Sequence, residues 1–79
     1  MKTINEVAAA NVRAMADDND VTLDDLGLQA GMAVRTFARR MTGQSDWTLN
    51  ELDRVSQILG ADIGDLVSEQ RIRVPQHVA

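Results

Sequence analysis

Four times in this chain a hydroxyl or carboxylate side chain just ahead of an apolar period is followed three residues later by an acid. The pairs are Thr3 with Glu6, Thr22 with Asp25, Thr48 with Glu51, and Asp62 with Asp65, the last being the loosest match. The first side chain of such a pair satisfies one of the unpaired N–H groups at a helix start, and the acid answers the cap's own N–H. Four such starts in 79 residues leave room for little except short helices.

The apolar spacing agrees. Helices are expected over residues 4–16, 23–30, 33–41, 49–59 and 63–67. Ile4, Ala8, Val12 and Met15 make one face of the first, and Leu23, Leu26 and Ala30 one face of the second. Leu49, Leu52, Val55, Ser56 and Leu59 do the same for the fourth. The run Asp17-Asp18-Asn19-Asp20 stops the first helix, because Asp and Asn compete for backbone bonds. Gly31, Gly43 and Gly60 supply stops further on. Only Arg71-Ile72-Arg73-Val74 alternates in the manner of a strand, and Pro75 cuts it off. The fold class is therefore all-α, in one domain over residues 1–68 with a tail at 69–79.

A chain of this length buries roughly 60% of its unfolded surface, enough for one core but not two. There is no cysteine to add a disulfide or a thiolate metal site. No apolar run approaches the roughly 20 residues that cross a membrane. The N-terminal residues lack a secretory apolar core and read straight into a helix. Together these suit the cytoplasm and no membrane partner.

Twelve acids against eight bases give a net charge of -4, which taken as a sum argues against nucleic acid. The distribution argues otherwise. Residues 1–34 carry two bases (Lys2, Arg13) and six acids, while residues 35–43 carry Arg35, Arg39 and Arg40 and no acid. Between the second and third helices Gly31 turns the chain within one or two residues, as in a helix-turn-helix that presents its second helix to a major groove. Two short helices around a glycine also occur in other folds.

From Asn11 to Val67 the chain resembles the DNA-binding domain of the phage-repressor, Cro and XRE-like family. Asn11-Val12-Arg13 is similar to the family's Asn-Ile-Arg opening. Thr22-Leu23-Asp24-Asp25-Leu26-Gly27 is similar to its Thr-x-x-x-Leu-Ala, with Gly27 for the small Ala. Ala30-Gly31-Met32 resembles its Ala-Gly-Val turn, and Thr36-Phe37-Ala38-Arg39 its Thr-Ile-Ser-Arg. Gly43 and the segments from Thr48 to Leu66 fall in register. The resemblance implies a compact five-helix lambda-repressor-like bundle and a role in transcription control, as in a prophage or plasmid regulator. Departures fall on the reading helix. Ala33 replaces a Ser or Thr cap, Val34 a polar reader, Arg40 an apolar residue and Met41 a Glu. Trp47 stands where Pro is frequent.

On a helical period, Arg35, Arg39 and Thr42 of the third helix cluster on one side, and Val34, Phe37 and Met41 on another. Arg40 lies on a flank, able to run along the core edge to a phosphate or an acid. The family register instead buries Ala33, Phe37 and Arg40. Arg35 is expected at base edges and Arg39 at base or backbone, because a guanidinium grips guanine O6 and N7 with two bonds and phosphate equally well. Solvation or pairing with the acidic run is the plain alternative for both. Ala38 shares the helix with them. Val34 is open to two expectations, core packing or contact with a thymine methyl. The resemblance adds Arg13 as a backbone contact, against a salt bridge to the fourth helix. Thr22 and Gln44 complete the candidate phosphate contacts.

Trp47 is expected to cap the core. His77 sits in the tail without metal partners. The acids at 17, 18, 20, 24 and 25 lack the glycine and terminal glutamate of a calcium loop and read as a solvated face. No nucleophile–base pair, cofactor motif or small-molecule site is evident, so an enzyme is not expected. The expected function is that of a sequence-specific repressor of a double-stranded DNA operator. The chain is expected to bind as a homodimer through residues 66–74, from Leu66 and Val67 to the 71–74 stretch. The alternative is a protein-interaction module, adaptor- or antitoxin-like, that keeps the fold without binding DNA. The absence of one basic surface joining helix 3, Arg13 and Arg54 would favour it.

Overall fold

A computed structural model describes residues 3–69. Five helices follow in order: α1 (Ile4–Asp18), α2 (Leu23–Gln29), α3 (Val34–Thr42), α4 (Leu49–Leu59) and α5 (Ile63–Val67). No strand occurs among the described residues. The expected all-α, five-helix bundle is what the chain forms, with ends within two residues of those read from sequence. Residues 70–79, including His77 and the alternating 71–74 stretch, lie outside the described residues.

The caps account for the helix starts. Thr3 and Glu6 bond reciprocally at α1, with the Thr3 N–H donating to Glu6 Oε1 at 2.8 Å and the Glu6 N–H to Thr3 Oγ1 at 3.2 Å. Thr48 and Glu51 do the same at α4, at 2.9 and 3.1 Å. At α2 only one half of the pair forms, the Asp25 N–H donating to Thr22 Oγ1 at 3.1 Å. At α5 the Asp62 N–H donates to Asp65 Oδ2 at 3.1 Å.

The core gathers Ala8, Val12, Leu26, Val55, Leu59 and Leu66 with Phe37, Met41 and Trp47. Two apolar residues expected inside stand outside, Ile4 and Leu49 at 66% and 75% exposed, and Val34, open to either expectation, is 80% exposed. All three are the first residue of their helix. A helical Cα–Cβ bond tilts toward the N-terminus, so these three side chains project past the helix end, whereas Leu23 and Ile63, first in α2 and α5, pack partly buried against the core.

Asn11 explains the first motif of the family pattern. It is buried, and its Nδ2 donates to the carbonyls of Leu66 at 2.8 Å, Ser68 at 3.0 Å and Asp65 at 3.2 Å. One α1 side chain thereby satisfies two of the orphan carbonyls at the end of α5 and that of Ser68 just beyond it. Leu66, expected at the dimer interface, is fully buried in its own chain's core, and Val67 packs partly buried against that core.

Candidate nucleic-acid interface

The joint between α2 and α3 is built from backbone bonds that only a left-handed residue permits. The Met32 N–H donates to Gly27 O and the Gly31 N–H to Leu28 O, both at 3.0 Å, and Gly31 has φ of +73°. This paired closure is the Schellman arrangement, for which glycine carries no steric penalty. Arg54 of α4 adds a side-chain cap, its Nε donating to Ala30 O at 2.9 Å. The start of α3 lacks a side-chain cap, because Ala33 has no acceptor.

Behind the joint, α3 is held by Phe37 and Met41, 5% and 8% exposed. The Phe37 ring lies over Gly27, where an added Cβ would stand 2.9 Å from Cγ. Gly27 in place of the family's Ala is therefore the counterpart of Phe37. The ring also meets Trp47 edge to face, with centroids 6.0 Å apart. Trp47 caps the core as expected, and its backbone N–H donates to Asn5 Oδ1 at 2.8 Å, while its buried indole Nε1 meets no acceptor among the described residues.

Arg40 was open to a phosphate or an acid, and it takes the acid. Its Nε and Nη2 donate to Glu51 Oε1 and Oε2 at 2.7 and 2.9 Å. Arg40 thus lies on the inner side, as the family register has it, while Ala33 is exposed rather than buried. Those two hydrogen bonds hold the Glu51 carboxyl below its ordinary range, against the opposing effect of burial. The same contact raises Arg40.

What α3 leaves outside is a continuous arc of about 140° made of Val34, Ala38, Thr42, Arg35 and Arg39, all exposed. Both arginines lie on one half of the arc, and Val34 and Ala38 on the other. The Thr42 hydroxyl donates to Ala38 O at 3.0 Å. Arg13 is exposed on α1 and lines two shallow hollows, one reaching Thr22 and Leu23 at the start of α2, the other Thr42 and Gly43 at the end of α3. It pairs with no α4 acid among the described residues. The Arg13 hollow also holds Asp17 and Asp20, so this flank is mixed in charge. Gln44 is exposed just past α3, where its backbone N–H donates to Arg39 O at 2.9 Å.

Two features went unread in the sequence. Leu28 is 76% exposed and lines a groove of about 250 Å³ between α2 and α3, together with Leu23, Asp24, Val34 and Ala38. Its place off the Leu23, Leu26 and Ala30 stripe was the available signal. The Arg54 cap had no signal, since its acceptor is a backbone carbonyl 24 residues away.

Comparison with known proteins agrees with this geometry. The model of the Cro/C1-type HTH DNA-binding domain matches residues 11–69. The structure of the clp gene regulator ClgR from Corynebacterium glutamicum aligns over 82% of this chain and 69% of its own, with a TM-score of 0.75 and 23% sequence identity. That likeness is one of fold. No curated protein matches the chain. The family match spans the Asn11 clamp, the Gly31 joint, α3 and the α4–α5 support, and the chain belongs to the Cro/C1-type helix-turn-helix DNA-binding family.

Proposed function

We propose that this chain is a sequence-specific transcriptional repressor that lays the exposed face of α3 in the major groove of an operator. The observation that carries the reading is the position of Arg35 and Arg39 side by side on that face, while Arg40 is tied inward to Glu51. Arg35, in the first turn of α3, grips a guanine edge, and Arg39, one turn on, reaches base or phosphate. Thr42 and Ala38 continue the same face beside them. Arg13, Thr22 and Gln44 reach the flanking backbone, and Arg40 holds α3 in place. A single reading helix spans few base pairs, so two copies act on half-sites about one helical turn apart. Leu66 being buried, that pairing is left to the surface beyond it. The test is selection from a random double-stranded DNA pool. Recovery of a two-fold sequence, lost in Arg35→Ala, supports the reading, and recovery of no preferred sequence overturns it.

The mixed charge around Arg13 and the acids Asp24 and Asp25 in the first turn of α2 favour a second reading, an interaction module without DNA. The same selection decides between them.

A further inference from the structure

The exposed arc of α3 has an apolar half that phosphate contacts do not explain. Val34 is 80% exposed at its start, and the residue before it adds no polar group. Across the groove from α2 stands Leu28, 76% exposed, and Ala38 continues the wall one turn along α3. An exposed leucine and an exposed valine lining one groove carry a hydration cost that contact with an apolar group removes. The single charge lining the groove is Asp24, which repels a phosphate. The half-arc beside it carries Arg35 and Arg39, so the same helix face that meets phosphate and guanine continues directly into this apolar wall. In the major groove the one apolar group a base pair displays is the C5-methyl of thymine.

We infer that Val34, with Leu28 opposite, reads the C5-methyl group of a thymine next to the base held by Arg35. This rests on the DNA-binding reading and adds a base identity to it. Where family members present a polar reader at this position, this chain discriminates by the presence of a methyl group rather than by a hydrogen bond.

The experiment uses the full chain and the operator recovered by selection. Each thymine of a half-site is replaced in turn by deoxyuridine, which removes the methyl and keeps the pairing. At one thymine per half-site the wild type is expected to lose about three- to tenfold in affinity, the scale of one buried methyl. Val34→Ala, at an exposed position that leaves folding intact, is expected to bind the thymine and uracil operators equally. Leu28→Ala is expected to narrow the difference. A wild type indifferent to uracil at every position overturns the inference while leaving operator binding intact. So does a Val34→Ala protein that keeps the full uracil penalty. If no operator is selected, the DNA reading itself fails and this inference with it. If the wild type self-associates without DNA and Leu28→Ala abolishes that, the groove belongs to a second copy and the inference is overturned.

Discussion

Arg40 and Glu51 are joined by two parallel hydrogen bonds, and the Oε1 that accepts from Arg40 Nε also accepts the Thr48 N–H at 2.9 Å. One carboxylate thus closes the capping box of α4 and fixes the back of α3. The two side chains are 16% and 10% exposed, dry enough for geometry to matter more than screening. The exposed face of α3 is oriented by a residue of the neighbouring helix.

Glu51→Gln should cost about 2 kcal/mol at neutral pH, because it leaves Arg40 half-buried without its charge partner. The sign with pH follows from the lowered Glu51 carboxyl. A folded-state value below the unfolded one contributes stability that is fully present above the unfolded range, about pH 4.3, and is lost as pH falls through the folded value. The gap between wild type and Glu51→Gln should therefore be constant from pH 6 to 8 and shrink below about pH 4. Urea unfolding across that range measures it, and a gap that widens on acidification contradicts the assignment.

Gly27 and Phe37 should be energetically coupled. Alanine is a better helix former than glycine by about 1 kcal/mol, yet its Cβ would lie 2.9 Å from Phe37 Cγ. Overpacking of this kind costs about 1–3 kcal/mol, so Gly27→Ala should be net destabilising. In a Phe37→Leu background the same change should become neutral or stabilising. A double-mutant cycle by thermal or urea unfolding gives the coupling, expected at about 1 kcal/mol or more. Additive effects would mean that the ring is free to move aside.

Asn11→Ala should cost about 1–3 kcal/mol by leaving the buried carbonyls at the end of α5 without a donor. The loss should be local before it is global. Amide exchange of residues 63–68 should accelerate more than that of α2 and α3. Uniform acceleration across the chain would show that α5 does not open separately.

Arg35→Ala and Arg40→Ala should separate reading from scaffolding. The first should leave stability within about 0.5 kcal/mol of wild type and weaken discrimination at one base pair by about 1–3 kcal/mol. The second should lower stability by about 2 kcal/mol and reduce DNA affinity without changing which sequence is preferred. Unfolding curves and binding to single-base operator variants distinguish the two.

Much of the fold was legible because helix starts have local causes. Thr3, Thr22 and Thr48 declare α1, α2 and α4 through bonds within three residues, and periodicity supplied the buried faces. Ile4 and Leu49 were misplaced because a helical period does not tell first-position side chains that leave the helix end, as these do, from those that pack, as Leu23 and Ile63 do. Arg40 could not be resolved from sequence because its partner lies on another helix, and Glu51 was already accounted for as a cap. The groove beside Leu28 depends on how α2 and α3 pack, which no spacing within either helix encodes.

On the proposed function, the outer arc of α3 reads a base sequence. This is tested most directly by the ratio of dissociation constants for the selected operator and a scrambled duplex of equal length, measured with wild type at one fixed salt concentration near physiological. A ratio of about a thousand or more is expected, falling by about tenfold or more in Arg35→Ala. A ratio within a few-fold of one, or one unchanged by Arg35→Ala, would contradict it.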